Sequence, residues 1–264
     1  MLDTKVKPVR ALARGLDVLI ELQRVRAASL HDLHVALGLP KATLLRMLVT
    51  LGSRGLVWQR LADGAYLPHL STETTPEEQA ARIAEVASPH LETLSRIVAW
   101  PSVIAAPRLD HLEIVETNSR LLRLDSAILG PVGAKLSYIH TATGRAYLAA
   151  CGAEERGEIL ARLRPRANAA EGDALIARIV EDTAARGYAL RDPLHPWPDR
   201  SRQAVRNDGR HSMAVAVHVR GRAVAGINIT WPARRTATDE VVGRHLGTLQ
   251  ATAALIGAEL AGAG

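Results

Sequence analysis

The sequence predicts an α+β chain: a winged helix-turn-helix over residues 1–70, a linker helix within 71–87, and a larger domain with an antiparallel sheet over 88–264. Three observations carry this prediction. Residues 29–67 run as two short helical segments joined by a Gly turn, then a compact hairpin, which is the winged order. Positive charge is concentrated in the same stretch. Beyond Trp100-Pro101, short strand candidates alternate with helices and end in one long hairpin, the pattern of an α+β sheet domain rather than a doubly wound parallel one.

Ser29 suits an N-cap, because its hydroxyl satisfies an orphan N–H of the first turn, and Leu30, Leu33 and Leu37 follow at helical spacing. Gly38 can take the positive φ of a helix C-terminus, and Leu39-Pro40 restarts the chain with Pro near the first helical position. In the second helix Leu44, Met47, Leu48 and Leu51 form a core stripe. The opposite face carries Ala42, Arg46, Val49 and Ser53, with Lys41 and Thr43 flanking its N-terminal end. A recognition helix presents its N-terminal residues to base edges, and Leu45, on the flank of this face, suits a thymine methyl. Residues 56–60, a turn through Asp63-Gly64 and residues 65–67 supply the wing. Arg60 and Tyr66 of the wing, and Lys5, Lys7, Arg10 and Arg14 at the N-terminal end, are then expected to hold phosphates or reach the minor groove.

Charge agrees with helix order. Residues 1–70 hold ten Lys/Arg against five Asp/Glu, net +5 of the chain's +6. Residues 71–264 hold 23 against 22. A surface of this kind binds double-stranded DNA through counterion release, with affinity falling as salt rises. A solvated basic domain without a partner is the bland alternative.

At 264 residues the chain suits two domains, and with no Phe its cores must be built from Leu, Val, Ile and Ala. The single Cys151 excludes an internal disulfide and suits a reducing cytosol. No signal-like stretch and no uncharged apolar run of membrane-spanning length is present, so a cytoplasmic protein without a membrane partner is expected.

Residues 71–78 are polar and carry a Pro and acids suited to a helix start, so a boundary falls there. A helix to about Val86 is expected as linker and plausible dimer contact, with a second helix over 88–99 opened by Ser88-Pro89. Strands are expected at 102–106, 112–116 and 121–124, and helices at 142–150, 154–163 and 173–186. A short strand at 188–190 leads into a Pro-rich loop, and a hairpin over 213–231 turns at Arg220-Gly221-Arg222. A long amphipathic helix from about Asp239 to Leu260 closes the chain.

With these elements in place the chain resembles the IclR family of bacterial transcription regulators. The resemblance rests on Arg14-Gly15-Leu16-Asp17-Val18-Leu19 of a first helix, on Gly38-Leu39-Pro40-Lys41-Ala42-Thr43 running to Arg46-Met47-Leu48, and on the wing from Gly55 to Leu67. In the second domain it rests on Thr141-Ala142-Thr143-Gly144-Arg145-Ala146-Tyr147, on Arg186-Gly187-Tyr188 and on Gly226-Ile227-Asn228-Ile229-Thr230. Trp100-Pro101 and the Gly144–Tyr147 run are similar to the subgroup regulating aromatic-acid catabolism.

The resemblance implies a GAF-like effector domain binding a small metabolite, and a homodimer or homotetramer on a palindromic operator. No cofactor and no metal are expected. Carried over by position, the effector-binding residues are Ala142, Thr143, Arg191, Ser212, Asn228 and Thr230. Arg191 stands where some relatives carry an acid, which suits an anionic ligand, and the apolar residues 121–129 leave the ligand's size open. From the residues alone, Gly226, Asn228 and Thr230 share one strand face, either a ligand face or an ordinary solvated one. Arg191 reads equally as ligand clamp or surface ion-pair residue, and Arg145 as structural. An enzyme is a rival reading, with no constellation to support it: Cys151 sits at a helix C-terminal end that disfavours a thiolate, and the His residues lack metal spacing. His195 and His211 flank the Pro-rich loop without specifying a base. An architectural DNA-binding protein, the third reading, leaves the large second domain without a purpose.

Overall fold

Helices α1 (Arg10–Val25), α2 (Leu30–Leu37) and α3 (Lys41–Ser53) and a hairpin of β1 (Val57–Gln59) with β2 (Tyr66–Pro68) make up the first of two units, Met1–Glu73 and Thr74–Gly264. The computed structural model describes residues 9–69, 75–122, 130–163, 169–194 and 209–262. Lys5, Lys7 and His195 lie outside them, as do residues 123–129 and most of the Pro-rich loop.

Ser29 caps α2 as expected. Its hydroxyl accepts the Asp32 N–H at 3.1 Å while the Asp32 carboxylate accepts the Ser29 N–H at 2.9 Å, a reciprocal capping box. Gly38 ends α2 at φ +64 and turns the chain into α3. Val18 and Leu22 of α1, Leu33 of α2, Leu44 and Leu48 of α3 and Val57 of β1 form the core. Ala28 exchanges both backbone hydrogen bonds with Tyr66, fastening the hairpin to the α1–α2 connection. The wing differs in detail from the expected tight turn. Gln59 pairs with Tyr66, so the loop spans residues 60–65. Arg60 closes it by accepting the Gly64 N–H at 2.9 Å and donating to Ala65 O at 2.8 Å.

The second unit opens with α4 (Pro76–Ile97), one helix where two were expected. Thr75 and Glu78 form its capping box. Pro89 lies inside it because Ala80, Ile83, Ala84, Ala87, Leu91 and Leu94 make one buried stripe on both sides of the proline. Packing of that stripe outweighs the lost backbone bond. The Ser88 hydroxyl, expected to cap a new helix, donates instead to buried Glu116 at 2.7 Å.

The remaining elements are β3 (Val103–Pro107), β4 (Leu112–Thr117), β5 (Lys135–Leu136), α5 (Ala142–Ala150), α6 (Ala153–Leu163), α7 (Ala169–Arg186), β6 (Ala189–Leu190), β7 (Arg210–Val219), β8 (Arg222–Pro232) and α8 (Thr238–Gly262). The strands form one antiparallel sheet in the order β5-β4-β3-β8-β7-β6. Leu121 and Leu122, expected to begin a strand, lie in a turn, and the edge partner of β4 is β5. Arg220 and Gly221, at φ +48 and +82, make the two-residue turn between β7 and β8, whose paired positive φ values match the right-handed twist of the hairpin. Ile227, Ile229 and Trp231 point to the sheet face covered by α4 and α8, while Gly226, Asn228 and Thr230 point to α5.

Two glycines of α8 separate packing from propensity. A Cβ on Gly257 would stand 2.1 Å from His218 O of β7, whereas one on Gly247 would meet nothing within 4 Å. Gly257→Ala is expected to lower the thermal unfolding midpoint sharply. Gly247→Ala is expected to leave or raise it, by up to about 1 kcal/mol of helix propensity. Equal shifts for both would contradict the close α8–β7 contact.

Candidate functional site

The first candidate surface is the outer face of α3. Lys41, Ala42, Leu45, Arg46 and Val49 are exposed on it, Thr43 is half-buried, and Leu44 and Leu48 are buried beneath. Pro40 occupies the N-cap and provides no side-chain hydrogen bond, and the first turn carries no acid. Its N–H groups and the positive end of the helix dipole are therefore suited to a phosphate. Arg10 and Arg14 are exposed on α1. The two wing residues are more constrained than expected. Arg60 is held by Asp63 at 2.5 Å, and the Tyr66 ring packs on the core. Burial works against the Asp63 carboxylate, but Arg60 and the Ala65 N–H outweigh it and hold its pKa below the ordinary value. His34 bonds the Leu39 carbonyl at 2.7 Å, a turn-holding role.

The second candidate surface is the α5 side of the sheet. The structure brings Arg191, Ser212 and Thr230 into one row across adjacent strands. Arg191 N–H donates to Ser212 O at 3.1 Å, Ser212 pairs with Thr230 in register, and their hydroxyls are 2.7 Å apart. Gly226, Asn228 and Thr230 share this face, which is buried under α5, so it is not a solvated face. Ala142 and Thr143, the first two residues of α5, lie over it. The Thr143 hydroxyl is buried and has no hydrogen-bond partner among the described residues. Asn228 stands one step along the strand, but its carbonyl oxygen accepts the Val103 N–H at 3.0 Å, tying β8 to β3. The Arg191 guanidinium donates to Arg210 O at 3.1 Å.

Arg145 is structural, as expected. It donates to Ile139 O at 2.5 Å and pairs with Asp192 at 3.1 Å, and Asp192 N–H in turn donates to His140 O at 3.0 Å. Burial lowers the Arg145 pKa from its ordinary value, and Asp192 opposes that shift. The sequence reading gives Asp192 no role. Its adjacency to Arg191 is the only signal, since the pairing spans 47 positions. His211 alternates with Ser212 and therefore faces away from the row, where its ring stacks on Trp231 at 5.9 Å. Two hollows of the second unit lie elsewhere and contain none of the row residues. One of about 180 Å³ borders Ala149, Ala184 and Tyr188, and one of about 330 Å³ lies between Leu160 and Val180.

Comparison with known proteins follows this division. Residues 11–61 match the IclR helix-turn-helix domain. A protein assigned as a transcriptional regulator from Rhodococcus sp. RHA1 is similar over 97% of this chain and 99% of its own, at 28% identity and TM-score 0.53. An IclR family transcriptional regulator from Brucella abortus is similar over 98% and 97%, at 22% identity and TM-score 0.52. An IclR homologue from Microbacterium hydrocarbonoxydans, solved with 4-hydroxybenzoate, shares the fold over 95% and 98%, at 21% identity and TM-score 0.51. Residues 11–61 thus form an IclR-type helix-turn-helix domain, and the chain as a whole shares its fold with these regulators.

Cys151, the one thiol, is buried at the end of α5. Burial and the nearby Glu155 carboxylate push its pKa up to about 11. The group is thus a neutral thiol at ordinary pH, a poor nucleophile. A disulfide-exchange reagent at pH 8 is expected to leave the native protein unlabelled and to label one thiol once denaturant is added. Rapid labelling of the folded protein would contradict this burial.

Proposed function

We propose that this regulator binds a palindromic operator as a homodimer or homotetramer and senses a small anionic metabolite, a carboxylate or an aromatic acid, at the row beneath α5. Residues 1–70 bind DNA, 71–87 link, and 88–264 sense, in a cytoplasmic protein. The observation that carries the sensor is the Thr143 hydroxyl, buried without a hydrogen-bond partner among the described residues, over Gly226 on the sheet face that also holds the Ser212–Thr230 pair. Buried polar groups are ordinarily bonded, so an unpartnered donor in such a place suits a ligand oxygen. The Ser212 and Thr230 hydroxyls share one hydrogen bond, which leaves one proton to donate. The first turn of α5 adds backbone N–H groups, and Arg191 adds positive charge and a guanidinium able to bond a carboxylate with two prongs. Binding of 4-hydroxybenzoate by the Microbacterium homologue of the same fold supports the aromatic-acid reading.

Ala42, Thr43, Leu45 and Arg46 read bases, while Lys5, Lys7, Arg10, Arg14, Lys41, Arg60 and Tyr66 position the protein on the backbone. An effector acts only through different affinities for two dimer geometries.

Thermal unfolding against a panel of small carboxylates and aromatic acids tests the sensor. A ligand at 100 times its dissociation constant stabilises the folded state by about 2.7 kcal/mol. The stabilisation is expected to vanish in Arg191→Ala and to weaken in Thr143→Val, which keeps the shape and removes the hydroxyl. A panel without hits, or hits indifferent to both changes, would contradict the site. On the DNA side, Arg46→Ala is expected to reduce discrimination between operator and random duplex. Lys5→Ala is expected to weaken both alike. Equal behaviour of the two variants would remove these roles.

A further inference from the structure

We infer that the outer face of α3 reads thymine methyl groups, so that each half-site sets thymines against Ala42, Leu45 and Val49 beside a guanine facing Arg46. The inference rests on the DNA-binding reading and gives its base chemistry. At about 100° per residue, the outward arc of α3 divides into two sides. Ala42, Leu45 and Val49 make one side, with Leu45 45% and Val49 65% exposed. Arg46, Thr50 and Ser53 make the other. The two hydroxyls there are turned inward: Thr50 donates to Arg46 O at 2.9 Å and Ser53 to Thr50 O at 2.8 Å. The Arg46 side chain makes no hydrogen bond or ion pair among the described residues and is free to present its guanidinium outward. Apart from Lys41 at the helix start, the face therefore offers one strong donor and an apolar strip.

The major groove contains one apolar group, the thymine C5 methyl, and guanine presents the paired acceptors that suit Arg. An apolar strip set against cytosine would leave its amino group without a partner, a cost that methyl contact avoids. Leu45 and Val49 are four residues apart, about 6 Å along the helix, which is roughly two base steps at about 3.4 Å per step. The net +5 of residues 1–70 supplies the charge complement that selects a nucleic acid as the occupant of this strip rather than another apolar surface.

The full-length protein is used to select duplexes from a random library, and the enriched duplex is then made with deoxyuridine in place of thymidine, which removes only the methyl groups. Fluorescence anisotropy is expected to show about a four-fold loss of affinity for each contacted thymine, the worth of one buried methyl. Thymine-to-cytosine exchange should cost more. Val49→Ala, a change at an exposed position, should weaken the thymidine duplex and leave the deoxyuridine duplex unaffected, because the contact is already gone. Leu45→Ala should behave in the same way at its own base. Equal affinity for the two duplexes, or equal loss on both in Val49→Ala, would overturn methyl readout while leaving DNA binding intact. Failure to enrich any duplex would overturn the DNA-binding reading and this inference with it.

Discussion

The second unit depends on how closely the first turn of α5 approaches its neighbours. Two glycines set that distance. A Cβ on Gly226 of β8 would lie 2.7 Å from the Thr143 methyl and 2.8 Å from its carbonyl oxygen. A Cβ on Gly144 would lie 2.2 Å from Ser137 O. The turn is thus pressed against β8 on one side and the 137–138 backbone on the other, closer than any side chain allows. Everything at the row follows: Ala142, Ala146, Ala189 and Ala214 pack as a cluster of small side chains, and Ser212 and Thr230 are buried below. The Thr143 hydroxyl is carried into the same layer.

Such a layer has an energetic cost that an apolar one lacks. An unbonded buried hydroxyl loses about 1–3 kcal/mol of hydration without return. Ile227 and Ile229, on the other sheet face, show that the same strand packs well without polar groups. Stability alone does not account for serine, threonine and asparagine gathered on the α5 side. Asn228 has a structural use, since it joins β8 to β3 through Val103 N–H. Thr143 has none among the described residues. That difference sets Thr143 apart from Asn228.

Much of this is legible in the sequence, and the losses have physical causes. Caps and turns act over three or four residues, so Ser29, Gly38 and Gly221 announce α2, its end and the β7–β8 hairpin. Alternation places Asn228 and Thr230 on one face, but whether water or α5 covers that face depends on contacts distant in sequence. Pro89 misleads because its local signal is strong, yet the buried stripe from Ala80 to Leu94 carries the helix through it. Charge on the wing does not announce that Asp63 fixes the Arg60 guanidinium or that the core fixes the Tyr66 ring. Gly226 inside a strand is the unused clue, since a strand glycine often marks a close backbone approach.

The same packing limits how the second unit can rearrange. Close-packed layers shift between discrete arrangements rather than deform continuously. With Thr143 against β8 and Gly144 against residues 137–138, the first turn of α5 has no room to yield toward either. The compliant side is the end of β6, where Asp192 is half-exposed and joined to α5 through the Arg145 ion pair. A ligand bonded to Arg191 would pull on the residue next to Asp192, so charge at the row and the position of β6 would be coupled through one backbone peptide. An anion there would act on a corner tied by the Arg145–Asp192 pair, by the Asp192 N–H bond to His140 O and by the Arg191 bonds to Ser212 O and Arg210 O, whereas a neutral ligand would have only the hydroxyls to act on.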